Sequence, residues 1–175
     1  NGVRAVHAAW IPWAIAVLSR LSSPLSDADL AALFARGSEV ARAADLAIKG
    51  PEMDLPSGES FVDSDGTKRT GSRVAWWLDG RGKQLRDYLF PFGVSDSPLR
   101  LPQALPPDLH GYTDPQPVLV GHYWLSGPKR LQTPKVAVLD YSVARGGCIM
   151  AYRWDGEDQL DLSRMIASDG DLDDE

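Results

Sequence analysis

The chain predicts an α/β fold, with short strands gathered mostly in one sheet and helices from the N-terminal part on its outer face. Three observations carry that expectation. Apolar runs at "RAV", "PVLV", "KVAVLD" and "CIMAYRW" are strand-length and rich in Val and Ile, as in sheets buried on at least one face. Between Pro12 and Lys49 the apolar residues instead recur at helical spacing. Gly-rich breaks separate the later strands, as turns require.

In chain order, Val3 to Val6 reads as a short strand ending at His7. "PWAIAVLSRL" comes next as a helix, with Pro12 suited to a first turn because its missing N–H would have no partner there. Ser26 caps "DADLAALFARGS", with Asp27 and Asp29 in the first turn and Gly37 near the end. Ser38 to Lys49 is a third helix, closed by Gly50-Pro51. All three are amphipathic and are expected to pack. From Pro51 to Pro117 prolines and glycines accumulate. Ser60 to Asp63 and Arg69 to Trp77 read as two strands around "DSDGT". Residues 79–117 read as an irregular Pro/Gly-rich insert, and a loop that long is commonly functional. Strand character returns at Val118. Residues 168–175, within "SDGDLDDE", read as an acidic disordered tail. No internal repeat is present.

The 175 residues suffice for one globular domain with a core, and six tryptophans supply large packing groups. A net charge of −6 excludes a general binder of nucleic-acid polymers, which needs a basic face. It leaves open a small phosphate substrate, since a few arginines or a metal ion can dominate a site. A single cysteine, Cys148, rules out an internal disulfide and fits a reducing, cytoplasmic setting; its apolar context reads as core. No stretch approaches the ~20 apolar residues of a membrane span, so no membrane partner is expected. The chain enters an apolar stretch at once from Asn1, which reads as a sequence cut from a longer one.

Two strand ends could carry chemistry. "RAVHAAW" delivers His7 and "PVLVGHYW" delivers His122, each at the C-terminal end of an apolar strand, the edge where ligand sites of sheet proteins gather. Gly121 removes a side chain beside His122, as a close approach would need. "VAVLD" places Asp140 at a third strand end. Imidazole and carboxylate are metal ligands, and a ligating histidine wants a carboxylate or carbonyl on its other nitrogen, a role open to Asp140. Hydrogen-bonded structural histidines fit the same pattern, and both readings stay open on the residues alone.

"VHAAWIP", "LVGHYWLSG" and "VLDYSVARGGCIMAYRW" resemble, in that order, three late blocks of the calcineurin-like metallophosphoesterases, in the phosphoprotein phosphatase and symmetrical diadenosine tetraphosphatase group. "KGPE", "LPSGESFVDSDG" and "RVAWW" are similar to segments of bacterial members. The resemblance implies the C-terminal portion of a four-layer α/β/β/α sandwich, a single domain over residues 1–167. It implies a phosphoesterase in which two divalent ions (manganese, iron or zinc) bridge a hydroxide that hydrolyses a phosphate ester or dinucleoside polyphosphate. His7 and His122 would be metal ligands, with Asp140 a residue behind them; Arg73 and Tyr123 are the candidate substrate-binding residues, with an exposed ion-pairing role equally open to Arg73 and a packing role to Tyr123. The partner would be a small phosphorylated molecule or a phosphoprotein.

The departures are specific. The family's opening blocks D-x-H, G-D-x-x-D-R-G and G-N-H-[DE] supply most metal carboxylates, the bridging Asp and the general-acid histidine, and none occurs here in its family context. The chain alone is therefore expected to be inactive, with the missing N-terminal half of the same domain as its partner. "DLHG", Asp108 to Gly111, spells D-x-H-G, but "LPQALPP" before it is no central strand and the order is wrong, so His110 is not expected to be a ligand. Asn1 precedes Gly2 and not a histidine. Tyr141 and Ser142 replace Thr and Gly of the tetraphosphatase closing segment, which leaves dinucleotide specificity open. The alternative function is a non-catalytic binding or regulatory module with structural histidines.

Overall fold

The computed structural model describes residues 2–63, 66–92, 94–95, 97, 99–101 and 109–168. In chain order the elements are β1 (Arg4–Val6), α1 (Pro12–Leu18), α2 (Asp27–Phe34), α3 (Glu39–Lys49), β2 (Glu52–Asp54), β3 (Phe61–Val62), β4 (Lys68–Arg69), β5 (Gly71–Val74), β6 (Leu89–Phe90), β7 (Val118–Val120), β8 (Val136–Val138), β9 (Asp140–Tyr141), β10 (Cys148–Tyr152) and β11 (Met165–Ala167). The chain is mixed α/β and divides into two compact units, one formed by Asn1–Lys49 with Thr113–Glu175 and the other by Gly50–Tyr112.

In the first unit β1, β7 and β8 form a parallel sheet in that order, with Val6 opposite Val120 and Val120 opposite Val138. Val118, Val136, Ala137 and Val138 are fully buried, which explains their unbroken apolar run. Each buried Val stabilises the sheet by about 1.5–3 kcal/mol. α1 packs against α3 through small residues, with Ala14 and Ala43 wholly inaccessible. Pro12 opens α1. The Ser38 hydroxyl caps α3 by accepting from Ala41 N–H at 3.0 Å, and Gly50 beyond its end takes φ +77°. Ser26 and Asp29 complete a reciprocal capping box on α2. That helix meets α3 but buries none of its residues completely, and Phe34 is 83% exposed, so α2 packs more loosely than α1 and α3.

The expectation of mostly one sheet needs correction, because the strands fall into four small sheets among the described residues. β9, β10 and β11 form a separate antiparallel sheet in the order β11-β10-β9. The cause is local: Ser142 takes a left-handed φ of +59°, a 3-10 turn runs over Val143–Arg145, and Gly146 returns at φ +85°. This tight reversal sends "CIMAY" back along Asp140–Tyr141 instead of into the parallel sheet. Ser168 still pairs with Ile149, its N–H donating to Ile149 O at 2.9 Å; the rest of the acidic tail, residues 169–175, lies outside the described residues.

The second unit holds an antiparallel sheet β2-β5-β6 and the hairpin β3-β4. The strand expected over Arg69 to Trp77 is thus two strands and a turn, in which Leu78 N–H donates to Ala75 O at 2.8 Å. Trp76 and Trp77 are buried and meet edge to face, with Tyr112 edge-on to Trp76. Parts of the 79–117 segment are ordered here, β6 and a 3-10 turn at Leu85–Asp87 among them.

Candidate metal centre

β1 and β7 run parallel and in register, so the residues just beyond each strand emerge at the same sheet edge. His7 comes directly after Val6. Its carbonyl accepts from Gly121 N–H at 2.9 Å, and the next residue, Ala8, donates to the α3 carbonyl of Ala47 at 2.8 Å. One backbone position is thereby fixed from the sheet and from a helix end, whose last carbonyls need outside donors. His122 then leaves the ladder with φ +65°. That left-handed conformation is uncommon outside glycine, although histidine adopts it more readily than most residues, and such positions cluster at functional sites.

The outcome is two imidazoles side by side, with ring centroids 5.1 Å apart and planes tilted by 53°. His7 is exposed and His122 half-buried, with the His122 Nε2 atom shielded from solvent. Two nitrogen donors at a sheet edge, one open to solvent, match the donor chemistry of a transition-metal ligand pair. Among the described residues, no group of three or more His, Cys, Asp or Glu side chains is placed to hold a metal ion. The pair would therefore leave most of an ion's coordination to water or to donors from elsewhere.

The other residues singled out in the sequence have different surroundings. Tyr123 is fully buried and stands edge-on to the His122 ring, centroids 6.3 Å apart at 87°. It has no surface open to a substrate; it packs behind His122. Asp140 sits on β9, and its carboxylate accepts from Ser142 N–H at 3.1 Å while its carbonyl accepts from Leu125 N–H at 2.9 Å. Asp140 thus steadies the reversal after β9, with its carboxylate engaged in its own turn. It lines an open, mainly apolar depression together with Ala5, Leu119, Gly121, Val143 and Ile149. Arg73 belongs to the second unit, half-buried in β5 opposite Glu52 and Phe90. Gly121 is not demanded by close packing within the chain, since a Cβ there would meet only His7 O at an ordinary 3.5 Å. Cys148 is buried, as a core residue would be.

"DLHG" has a structural explanation in the second unit. His110 forms a β-bridge with Asp79. Gly111 comes next at φ +84°, where a Cβ would lie 2.8 Å from Asp79 N and 2.9 Å from Leu78 C. The Asp79 carboxylate binds the Arg81 side chain and backbone N–H, which hold its pKa down at about 2. Asp108 lies outside the described residues.

One pair next to the centre has almost no signature in the sequence. Trp124, two residues past His122, carries the Arg145 guanidinium 4.9 Å from its ring centre. The only signal is the aromatic doublet "YW" after the histidine, and its partner lies across a turn.

No family model, no curated relative and no solved structure matches this chain. No helix among the described residues is long and apolar enough to cross a membrane.

Proposed function

We propose that this chain carries the two-imidazole side of the metal centre of a metal-dependent phosphoesterase. The observation that supports this most is the His7–His122 pair, brought to 5.1 Å from two parallel strand ends more than a hundred residues apart in sequence. The chain's ordered resemblance to the metallophosphoesterase blocks points the same way. When bound, divalent ions in such a centre would polarise the phosphoryl oxygens and lower the pKa of a bound water.

The chain's own residues hold and orient. His7 and His122 would be the ligands. The Gly121–His7 and Ala8–Ala47 hydrogen bonds fix the backbone behind one ring, and the buried Tyr123 ring sets the position of the other. A backbone already fixed at both positions leaves less freedom to lose on binding an ion. Two imidazoles alone bind loosely, because affinity depends on ligand number and geometry. The substrate class is a phosphate ester or dinucleoside polyphosphate, the metal manganese, iron or zinc, and the site of action the cytoplasm. Turnover would need further carboxylate donors beside these two imidazoles.

Calorimetric titration with zinc and with manganese near neutral pH tests the reading. The expected result is one saturable site per chain, weakened at least about tenfold by His7→Ala and by His122→Ala. A folded chain that takes up neither ion, or variants that bind as well as the parent, would assign the two histidines to structure.

A further inference from the structure

Trp124 is 42% exposed, an unusual placement for so large a ring, beside a proposed metal centre. The segment that carries it is tied at both ends. Gly121 N–H is bonded to His7 O. Leu125 N–H donates to Asp140 O at 2.9 Å, and the Ser142 hydroxyl donates to Leu125 O at 3.0 Å. Between those ties Tyr123 is wholly buried. Trp124 is therefore held in place, with its Cα at most ~7 Å from that of His122, the reach of two residues.

Its partner is equally constrained. Arg145 closes the 3-10 turn that starts from the left-handed Ser142 and ends at Gly146. Its guanidinium lies over the Trp124 ring. Guanidinium on indole is a flat, cationic ledge, and both components are ones that aromatic ligands stack on. Phosphate attracts the same charge.

We propose that Trp124 and Arg145 form a stacking ledge that receives the flat ring of an aromatic phosphate ester, first of all the base of a nucleoside phosphate, while its phosphate lies toward His7 and His122. The inference rests on the phosphoesterase reading for the phosphate end only; the ledge itself needs no metal. It makes Trp124 and Arg145 specificity-determining residues. A ligand with a base gains the stack, and a ligand with sugar and phosphate alone does not.

The test monitors the indole N–H signal of Trp124 by NMR, assigned through Trp124→Phe, in the zinc-loaded and zinc-free chain. The probes are adenosine, AMP, ribose 5-phosphate and phenyl phosphate. Adenosine alone shifts the Trp124 signal with or without zinc, and AMP binds the zinc-loaded chain more tightly than ribose 5-phosphate. Trp124→Ala lowers AMP affinity by about tenfold, leaves zinc affinity unchanged, and brings AMP level with ribose 5-phosphate. Arg145→Gln weakens AMP by a smaller factor. Phenyl phosphate binding as tightly as AMP would overturn the preference for a base. Unchanged AMP affinity in folded Trp124→Ala, or ribose 5-phosphate binding as well as AMP to the parent, would overturn the ledge. Failure of zinc to bind while adenosine still moves Trp124 would sink the metal centre and leave the ledge standing.

Discussion

His122 and His110 each stand beside a glycine, and the two glycines do different work. Gly111 is required by the backbone: its φ is +84°, and a Cβ would press on Asp79 and Leu78 at under 3 Å. The left-handed turn is made by the glycine, and His110 stays in a bridge to Asp79. At Gly121 the order is reversed. The glycine continues the hydrogen bonding to His7, and the histidine itself takes the left-handed conformation. His110 is part of a turn that closes its own unit, whereas His122 leaves its strand to meet a second imidazole. A histidine-glycine pair thus says little until it is known which residue absorbs the unusual backbone angle.

Glycine substitutions break this comparison most forcibly. The largest loss is expected at a third site, Gly147, where a Cβ would sit 1.8 Å from Tyr141 O and the backbone of the β9–β10 reversal must move. Gly147→Ala is expected to destabilise the first unit by roughly 2–4 kcal/mol in urea unfolding. Gly111→Ala comes second at about 2 kcal/mol, from its left-handed conformation and its tight contact with Asp79. Ligand chemistry ranks third: His122→Ala lowers zinc affinity at least about tenfold, equivalent to ~1.4 kcal/mol, and His110→Ala leaves it within about twofold, both by calorimetry. Gly121→Ala is expected to change stability by under ~1 kcal/mol in either direction. A loss as large as that of Gly111→Ala would show the two glycines to be alike after all.

The smallest effect is electrostatic. Arg81 lowers the Asp79 pKa from 3.8 to about 2, so the folded state favours the ionised carboxylate. Its stabilising contribution is complete above the unfolded value and disappears as pH falls through about 2. The stability difference between the parent and Asp79→Asn is thus expected to be constant near neutrality and to vanish in acid. The pair is exposed and screened, so the difference is small. A difference that grows on acidification would contradict the assignment.

Features were legible in the sequence to the extent that their signals are local. Pro12, the Ser26 cap and Gly50 mark the helices through chemistry contained in a few neighbouring residues. The apolar runs of β7 and β8 announce burial directly. The separation of β9–β11 from the parallel sheet was not legible, because it hangs on a left-handed Ser142 that the sequence does not advertise. β2, β6 and β11 are two or three residues long, too short for a period to show. At the candidate site His7 and His122 could be found as strand ends. The left-handed φ of His122, the diversion of Asp140 into its own turn, the burial of Tyr123 and the Arg145–Trp124 stack all depend on contacts across turns, and pattern reading misses those.

The most direct test of the account uses the three histidines as internal controls. Long-range proton–nitrogen NMR of the imidazoles during a zinc titration resolves each ring separately. The account predicts that the His7 and His122 ring nitrogens shift together, at the same zinc concentration, while those of His110 stay in place. Shifts confined to His110, or spread equally over all three rings, would contradict it.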